Sequence, residues 1–143
     1  MVKQVVIQDQ LVSYIENEQA NSNRPALVFL HGWRSSALLW KPVLNEFSDY
    51  RFYALDLPGF GGSPTPTHTF TLGDYCAIVA GFLEKLGLKN AVLIGHSFGG
   101  RIGIKLAATR PELVNKLVLV DSHGVVVESA KKSFVSAVAR MVR

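Results

Sequence analysis

A chain of 143 residues with 48% apolar and 18% charged residues can bury roughly two-thirds of its unfolded surface in one domain, and it is neither disordered nor collagen-like. Its single cysteine, Cys76, excludes an intrachain disulfide. The formal charge of +4 is concentrated at one end, where Lys131, Lys132, Arg140 and Arg143 stand against Glu128; the rest of the chain therefore carries no basic stripe of the kind a nucleic-acid surface needs.

In chain order, VKQVVIQ and LVSYIENEQ are two β-rich runs separated by Asp9-Gln10, which predicts an antiparallel hairpin at a sheet edge with its turn at that pair. The polar stretch ANSNRP precedes residues 26–32, ALVFLHG, a continuous apolar strand of the kind buried on both faces in a parallel sheet. A helix is expected from Ser35 or Ser36, with Leu38, Leu39, Val43, Leu44 and Phe47 on its apolar side. Pro42 falls inside that span, so the helix either begins there or bends.

The strand at residues 51–55 runs into the glycine- and proline-rich loop of LDLPGFGGSP. Thr71 and Asp74 fit a capping arrangement ahead of the stripe Leu72, Tyr75, Cys76, Val79, Leu83 and Leu86, with Gly87 as the stop. Cys76 on that inward stripe reads as a buried thiol. Residues 92–94 form a short strand, 95–97 a sharp turn, and a helix follows from Phe98 to about Thr109, ended by Arg110-Pro111. KLVLVDS, residues 116–122, is one more buried strand. In residues 128–143, Phe134, Ala137, Val138 and Met141 recur at helical spacing, an amphipathic helix that must cover something.

Strands and helices that alternate in this way predict a three-layer α/β/α sandwich with a mostly parallel sheet and an antiparallel N-terminal hairpin. Residues 1–127 form the core and 128–143 open a cap or lid region. No apolar run resembles a signal peptide or approaches the roughly 20 residues that span a bilayer, so a soluble, cytoplasmic protein is expected.

Gly95-His96-Ser97-Phe98-Gly99 matches G-x-S-x-G, with an apolar strand before it and a helix after it. That context holds a serine nucleophile on a strained turn, where glycines let strand and helix approach closely. A nucleophilic serine needs backbone N–H groups aimed at the oxyanion; the usual donors are the residue after the nucleophile and one on the loop after the third strand. That assigns Phe98 and Trp33, with His31 and Gly32 shaping the oxyanion loop LHGWRSS. The Asp56 carboxylate, in LDLPG, is read as a loop organiser that accepts backbone N–H groups. GFGGSP and GHSFGG have neither the Walker lysine nor a G-x-G-x-x-G beside the first parallel strand, so nucleotide binding is not indicated. No metal or organic cofactor is required by this chemistry.

The HGW loop, LDLPGFGGSP and GHSFGG, in this order, resemble the α/β-hydrolase superfamily. The resemblance implies the α/β-hydrolase fold and, from its serine members, carboxylesterases, lipases, carbon-carbon bond hydrolases and cofactor-free haloperoxidases. Related epoxide hydrolases and haloalkane dehalogenases carry aspartate where this chain has Ser97. The family's triad runs serine, acid, histidine, with the acid usually after the seventh strand and the histidine after the eighth; this chain is expected to lack the last two strands. In the family's geometry His96 points away from the open side of the serine, His31 belongs to the oxyanion loop, and His68 reads as a solvated loop residue. His123, after the sixth strand, and Asp121, where some relatives carry the acid, are the remaining candidates.

The expected activity is that of a serine hydrolase acting on a carboxylic ester or similar carbonyl, with the catalytic histidine supplied from outside this chain. A catalytically inactive half-hydrolase serving as a binding or structural module, and a carbon-carbon bond hydrolase, are the alternatives. Leu117 to Val120 is apolar on both faces, which predicts a neighbour beside the sixth strand: a C-terminal region, a second chain or a second copy. Membrane adsorption through Lys131, Lys132 and Arg140 is the weaker rival, since one modest basic helix binds a surface poorly without a lipid anchor.

Overall fold

Six strands carry the fold in the computed structural model, which describes residues 1–17 and 24–122. They are β1 (Val2–Ile7), β2 (Gln10–Glu16), β3 (Leu27–Leu30), β4 (Phe52–Leu55), β5 (Ala91–His96) and β6 (Val114–Val120), and they form one sheet in the order β1-β2-β4-β3-β5-β6. The pairs β1–β2 and β2–β4 are antiparallel, whereas β4, β3, β5 and β6 run parallel. The expected sandwich is therefore present, with the antiparallel hairpin at one edge.

The hairpin turn lies one residue earlier than the sequence suggested. Ile7 pairs with Gln10, and Gln8 and Asp9 both have positive φ, at 48° and 63°. Two central residues at positive φ make the two-residue turn whose twist matches that of the strands; Gln10 belongs to β2 instead of the turn.

Alternation along the central strands sends two sets of side chains to opposite faces. Val28, Leu30, Tyr53, Leu55 and Leu93 enter one core with helices α2 (Leu72–Lys85) and α3 (Phe98–Thr109). Leu27, Phe29, Phe52 and Ala54 enter the other with Ala37, Trp40 and Leu44. Each fully buried aliphatic or aromatic side chain contributes roughly 1.5–3 kcal/mol relative to exposure, so the short central strands are held mainly by these two layers.

α2 begins and ends as its sequence indicates. The Thr71 side chain accepts the Asp74 N–H at 3.3 Å, and Asp74 Oδ2 accepts the Thr71 N–H at 2.7 Å, a reciprocal cap that lowers the Asp74 carboxyl below its ordinary pKa through the Thr71 hydrogen bonds. At the other end Leu88 N–H reaches Leu83 O and Gly87 N–H reaches Glu84 O, with Gly87 at φ 65°, the left-handed position that closes a helix with a glycine. Cys76 is buried, 3.6 Å from the Ile102 carbonyl, and burial pushes its thiol pKa up.

Two further expectations are corrected. The helix after β3 is broken into a 3-10 turn (Ala37–Trp40), α1 (Lys41–Leu44) and a second 3-10 turn (Asn45–Phe47). Pro42 lies in the first turn of α1, where the missing N–H costs nothing. The tighter 3-10 geometry rotates the inward set: Ala37, Trp40 and Leu44 are buried, while Leu38, Leu39 and Val43 are exposed. β6, expected to be buried, stands at the sheet edge, and Val118, Leu119 and Val120 are 45%, 38% and 39% exposed. Among the described residues no strand lies beyond it. The amphipathic helix expected at 128–143 lies outside the described residues, as does His123.

Candidate active site

Ser97 stands between the end of β5 and the start of α3 with φ 49° and ψ −109°. An L-residue adopts that conformation only at a cost of about 1–3 kcal/mol, which the surrounding structure must impose. The corner is imposed by contact on both sides: a Cβ on Gly95 would come within 2.6 Å of Gly100, and one on Gly99 would overlap the Leu30 carbonyl. Ser97 N–H is held by Val120 O at 3.1 Å, and Ser122 Oγ donates to Gly95 O at 3.1 Å. The end of β6 thus anchors the elbow. Phe98, first residue of α3, has an N–H with no intrahelical acceptor, as at every helix start.

The loop after β3 meets this corner through Gly32. A Cβ at that position would lie 2.9 Å from His96 Nδ1 and 3.3 Å from Ser97 Cβ, so only glycine lets the loop approach. Trp33 then packs edge-on against Phe98, ring centroids 5.2 Å apart. It makes further edge contacts with Phe60 and Tyr75. Trp33, Ser97, Phe98 and Arg101 line a cleft of about 380 Å³. Ser97, Trp33 and Phe98, which the sequence singled out, are thus brought to one place.

His31 and Asp56 hold that loop from below. His31 is fully buried; its Nδ1 lies 2.7 Å from Gly32 O and its Nε2 accepts the Leu57 N–H at 3.0 Å. A carbonyl can only accept, so the proton sits on Nδ1 and the ring is neutral. Burial, the largest influence, lowers its pKa; the Gly32 hydrogen bond and the nearby Asp56 oppose this, and His96 adds to it. Asp56 accepts Ala37 N–H at 2.7 Å and Gly62 N–H at 2.8 Å, as its reading as a loop organiser required. Ser63, which the sequence analysis missed, donates to Asp56 O at 2.7 Å and accepts Ser13 N–H at 2.8 Å. The loops after β3 and β4 and the strand β2 are joined through these few groups.

The remaining candidates are less closely engaged. Asp121 follows β6 with φ 43° and is exposed. It adjoins Val120, whose carbonyl holds Ser97, but its carboxylate makes no hydrogen bond among the described residues. His68 is exposed beside Phe70, and His96 Nδ1 is buried against the Gly32 backbone without a hydrogen-bond partner among the described residues. His123 lies outside the described residues. Arg101 and the aromatic collar of Phe60 and Tyr75 were also missed in the sequence. For Arg101 a signal existed: it follows Ser97 by four residues on a helix, which places both on one face. Among the described residues no cluster of His, Cys, Asp or Glu is placed to hold a metal ion, and no helix is long and apolar enough to cross a membrane.

Comparison with known proteins agrees with this fold. The chain is 43% identical over 113 residues to an uncharacterized hydrolase, YugF, of Bacillus subtilis, covering 78% of this chain and 41% of that protein. It is 38% identical over 101 residues to mouse epoxide hydrolase 4, covering 68% of this chain and 28% of that one. Among solved structures, a bacterial membrane phospholipase A superposes with a TM-score of 0.83 at 30% identity, over 90% of this chain and 42% of that one. The chain thus spans less than half the length of these relatives. A family model described as alpha/beta hydrolase fold matches residues 25–143, and the chain belongs to that family.

Proposed function

We propose that Ser97 is the nucleophile of a serine hydrolase that cleaves a carboxylic ester or similar carbonyl substrate through an acyl-enzyme. The observation that carries this reading is the conformation of Ser97, φ 49° and ψ −109°, at the mouth of a cleft that it shares with Trp33 and Phe98. In the proposed reaction Ser97 Oγ attacks the carbonyl carbon as a histidine takes its proton. The N–H groups of Trp33 and Phe98 stabilise the oxyanion, the alcohol leaves with the proton, and water hydrolyses the acyl-serine to release the acid.

Serine itself separates this chemistry from that named for the epoxide hydrolase relative. Attack by a serine on an epoxide or alkyl halide forms an ether, which offers water no carbonyl to attack; attack by an aspartate forms an ester, which does. An acyl carbonyl is therefore the substrate group that lets Ser97 turn over.

The base belongs outside the described residues. Both ring nitrogens of His31 are occupied by Gly32 and Leu57, and His96 Nδ1 is packed under the oxyanion loop. A fluorophosphonate probe, read as a mass shift on the Ser97 peptide, tests the proposal. We expect labelling when the chain is joined to a C-terminal half of the fold, none in the 143-residue chain alone, and none in Ser97→Ala. Absence of labelling in the joined protein overturns the reading. Vigorous labelling of the chain alone overturns the external base and promotes His123.

A further inference from the structure

We infer that Arg101 makes the Ser97 cleft selective for esters that carry a carboxylate on the acyl side, an inference that rests on the nucleophile assignment above and names the substrate class of that site. Arg101 is one helical turn beyond Ser97, its N–H directed to Ser97 O at 3.3 Å. Among the described residues that line the cleft it is the only formally charged one.

Among the described residues no ion pair gives Arg101 a structural role. The ion pairs among the described residues join Lys3 to Glu16 and Arg110 to both Glu84 and Glu112; none involves Arg101. Arg110, near the end of the same helix, shows what a structural arginine on this fold looks like. Arg101 also sits where its charge opposes its own helix. The first turn of α3 contains no acidic residue, and a cation near a helix N-terminus is disfavoured by roughly 0.3–1 kcal/mol. A charge that loses locally, and that no described residue pairs with in the cleft, is spent on something that enters the cleft.

The chemistry of that occupant follows from the guanidinium. Its planar fork matches a carboxylate with two parallel N–H···O bonds, and the positive end of α3 adds potential of the same sign. Four helical residues rise about 6 Å, which suits an acid separated from the scissile carbonyl by about two to four carbons. Monoesters of short dicarboxylic acids have this form. Arg101 acts here on specificity, with Ser97 still performing the bond chemistry.

Amide chemical shifts of the 143-residue chain, titrated with monomethyl succinate and with dimethyl succinate, test the assignment without requiring turnover. The monoester should perturb Ser97, Phe98 and the Arg101 Nε–H, and should bind about tenfold more tightly than the diester at low salt. That ratio should shrink as salt is raised, because the guanidinium is solvent-exposed and screened. In Arg101→Gln it should fall close to one, with circular dichroism and the melting curve confirming that the variant is folded. Equal binding of the two esters, no perturbation by either, or a preference retained in Arg101→Gln overturns the inference. A failure of the serine-hydrolase reading would appear separately, as an unlabelled Ser97 in the fluorophosphonate experiment.

Discussion

The imidazole Nε2 of His31 accepts the Leu57 N–H at 3.0 Å, so a side chain from the loop after β3 fixes the backbone of the loop after β4. Because Nδ1 donates to Gly32 O, the same ring sets the carbonyl that precedes Trp33. The loop carrying the proposed oxyanion donor is held by a neutral, desolvated histidine.

That arrangement predicts acid sensitivity. Burial lowers the His31 pKa below its ordinary 6.5, so in the window below 6.5 and above the folded value the unfolded chain binds a proton that the folded chain refuses. Stability then falls as pH drops through that window and is regained as pH rises. His31→Gln, which can donate from Nε2 and accept at Oε1, should flatten this pH dependence in urea denaturation between pH 7 and 5. His31→Ala leaves the Leu57 N–H unpaired and a cavity behind, and should cost about 2–4 kcal/mol. An unchanged pH slope in His31→Gln would remove His31 as its source.

Glycines of this chain are expected to differ sharply in what an added methyl costs. At Gly99 the new Cβ overlaps the Leu30 carbonyl, a backbone atom that cannot move aside without shifting β3, so Gly99→Ala should lose about 3 kcal/mol and disturb the Ser97 corner. Gly87 has φ 65° but nothing within 4 Å of such a Cβ; Gly87→Ala should cost only about 1 kcal/mol, the penalty of the left-handed backbone alone. Denaturant midpoints of the two variants check the contrast, and similar losses would contradict it.

Local chemistry is what the sequence displayed well. The Thr71–Asp74 cap, the Gly87 stop and the G-x-S-x-G corner each depend on residues within a few positions of one another, and each stands where its pattern placed it. The span containing Pro42 was harder, because periodicity alone does not distinguish an α-helix from alternating 3-10 and α turns; Leu38, Leu39 and Val43 consequently face outward. The hairpin turn shifted by one since Gln8 is not a residue whose chemistry announces positive φ. Arg101 and Ser63 gain their roles from partners or a cleft supplied by other loops. Their significance is tertiary, and the four-residue spacing of Arg101 from Ser97 is the one local hint of it.

β6 supports the last prediction. Its parallel partner is β5 on one side only, and register places Val118 beside Ile94 and Val120 beside His96, on the face that Ala37, Trp40 and Leu44 cover only farther along the sheet, toward β3 and β4. Val118 and Val120 are 45% and 39% exposed, so both an unpaired strand edge and an apolar strip are open among the described residues. Such an edge recruits another strand unless a charge or proline blunts it; Lys116 is the single charge on β6, and the exposed positions after it, Val118, Leu119 and Val120, are all apolar. The isolated chain should therefore self-associate, giving a scattering mass above the 15.7 kDa of one chain that rises with concentration. Val118→Lys adds a charge to the strip without removing a hydrogen bond and should weaken association about tenfold or more. If the chain is a monomer at all concentrations, with β6 amides already protected from hydrogen exchange, the edge is occupied from within the same chain and the expectation of a neighbour fails.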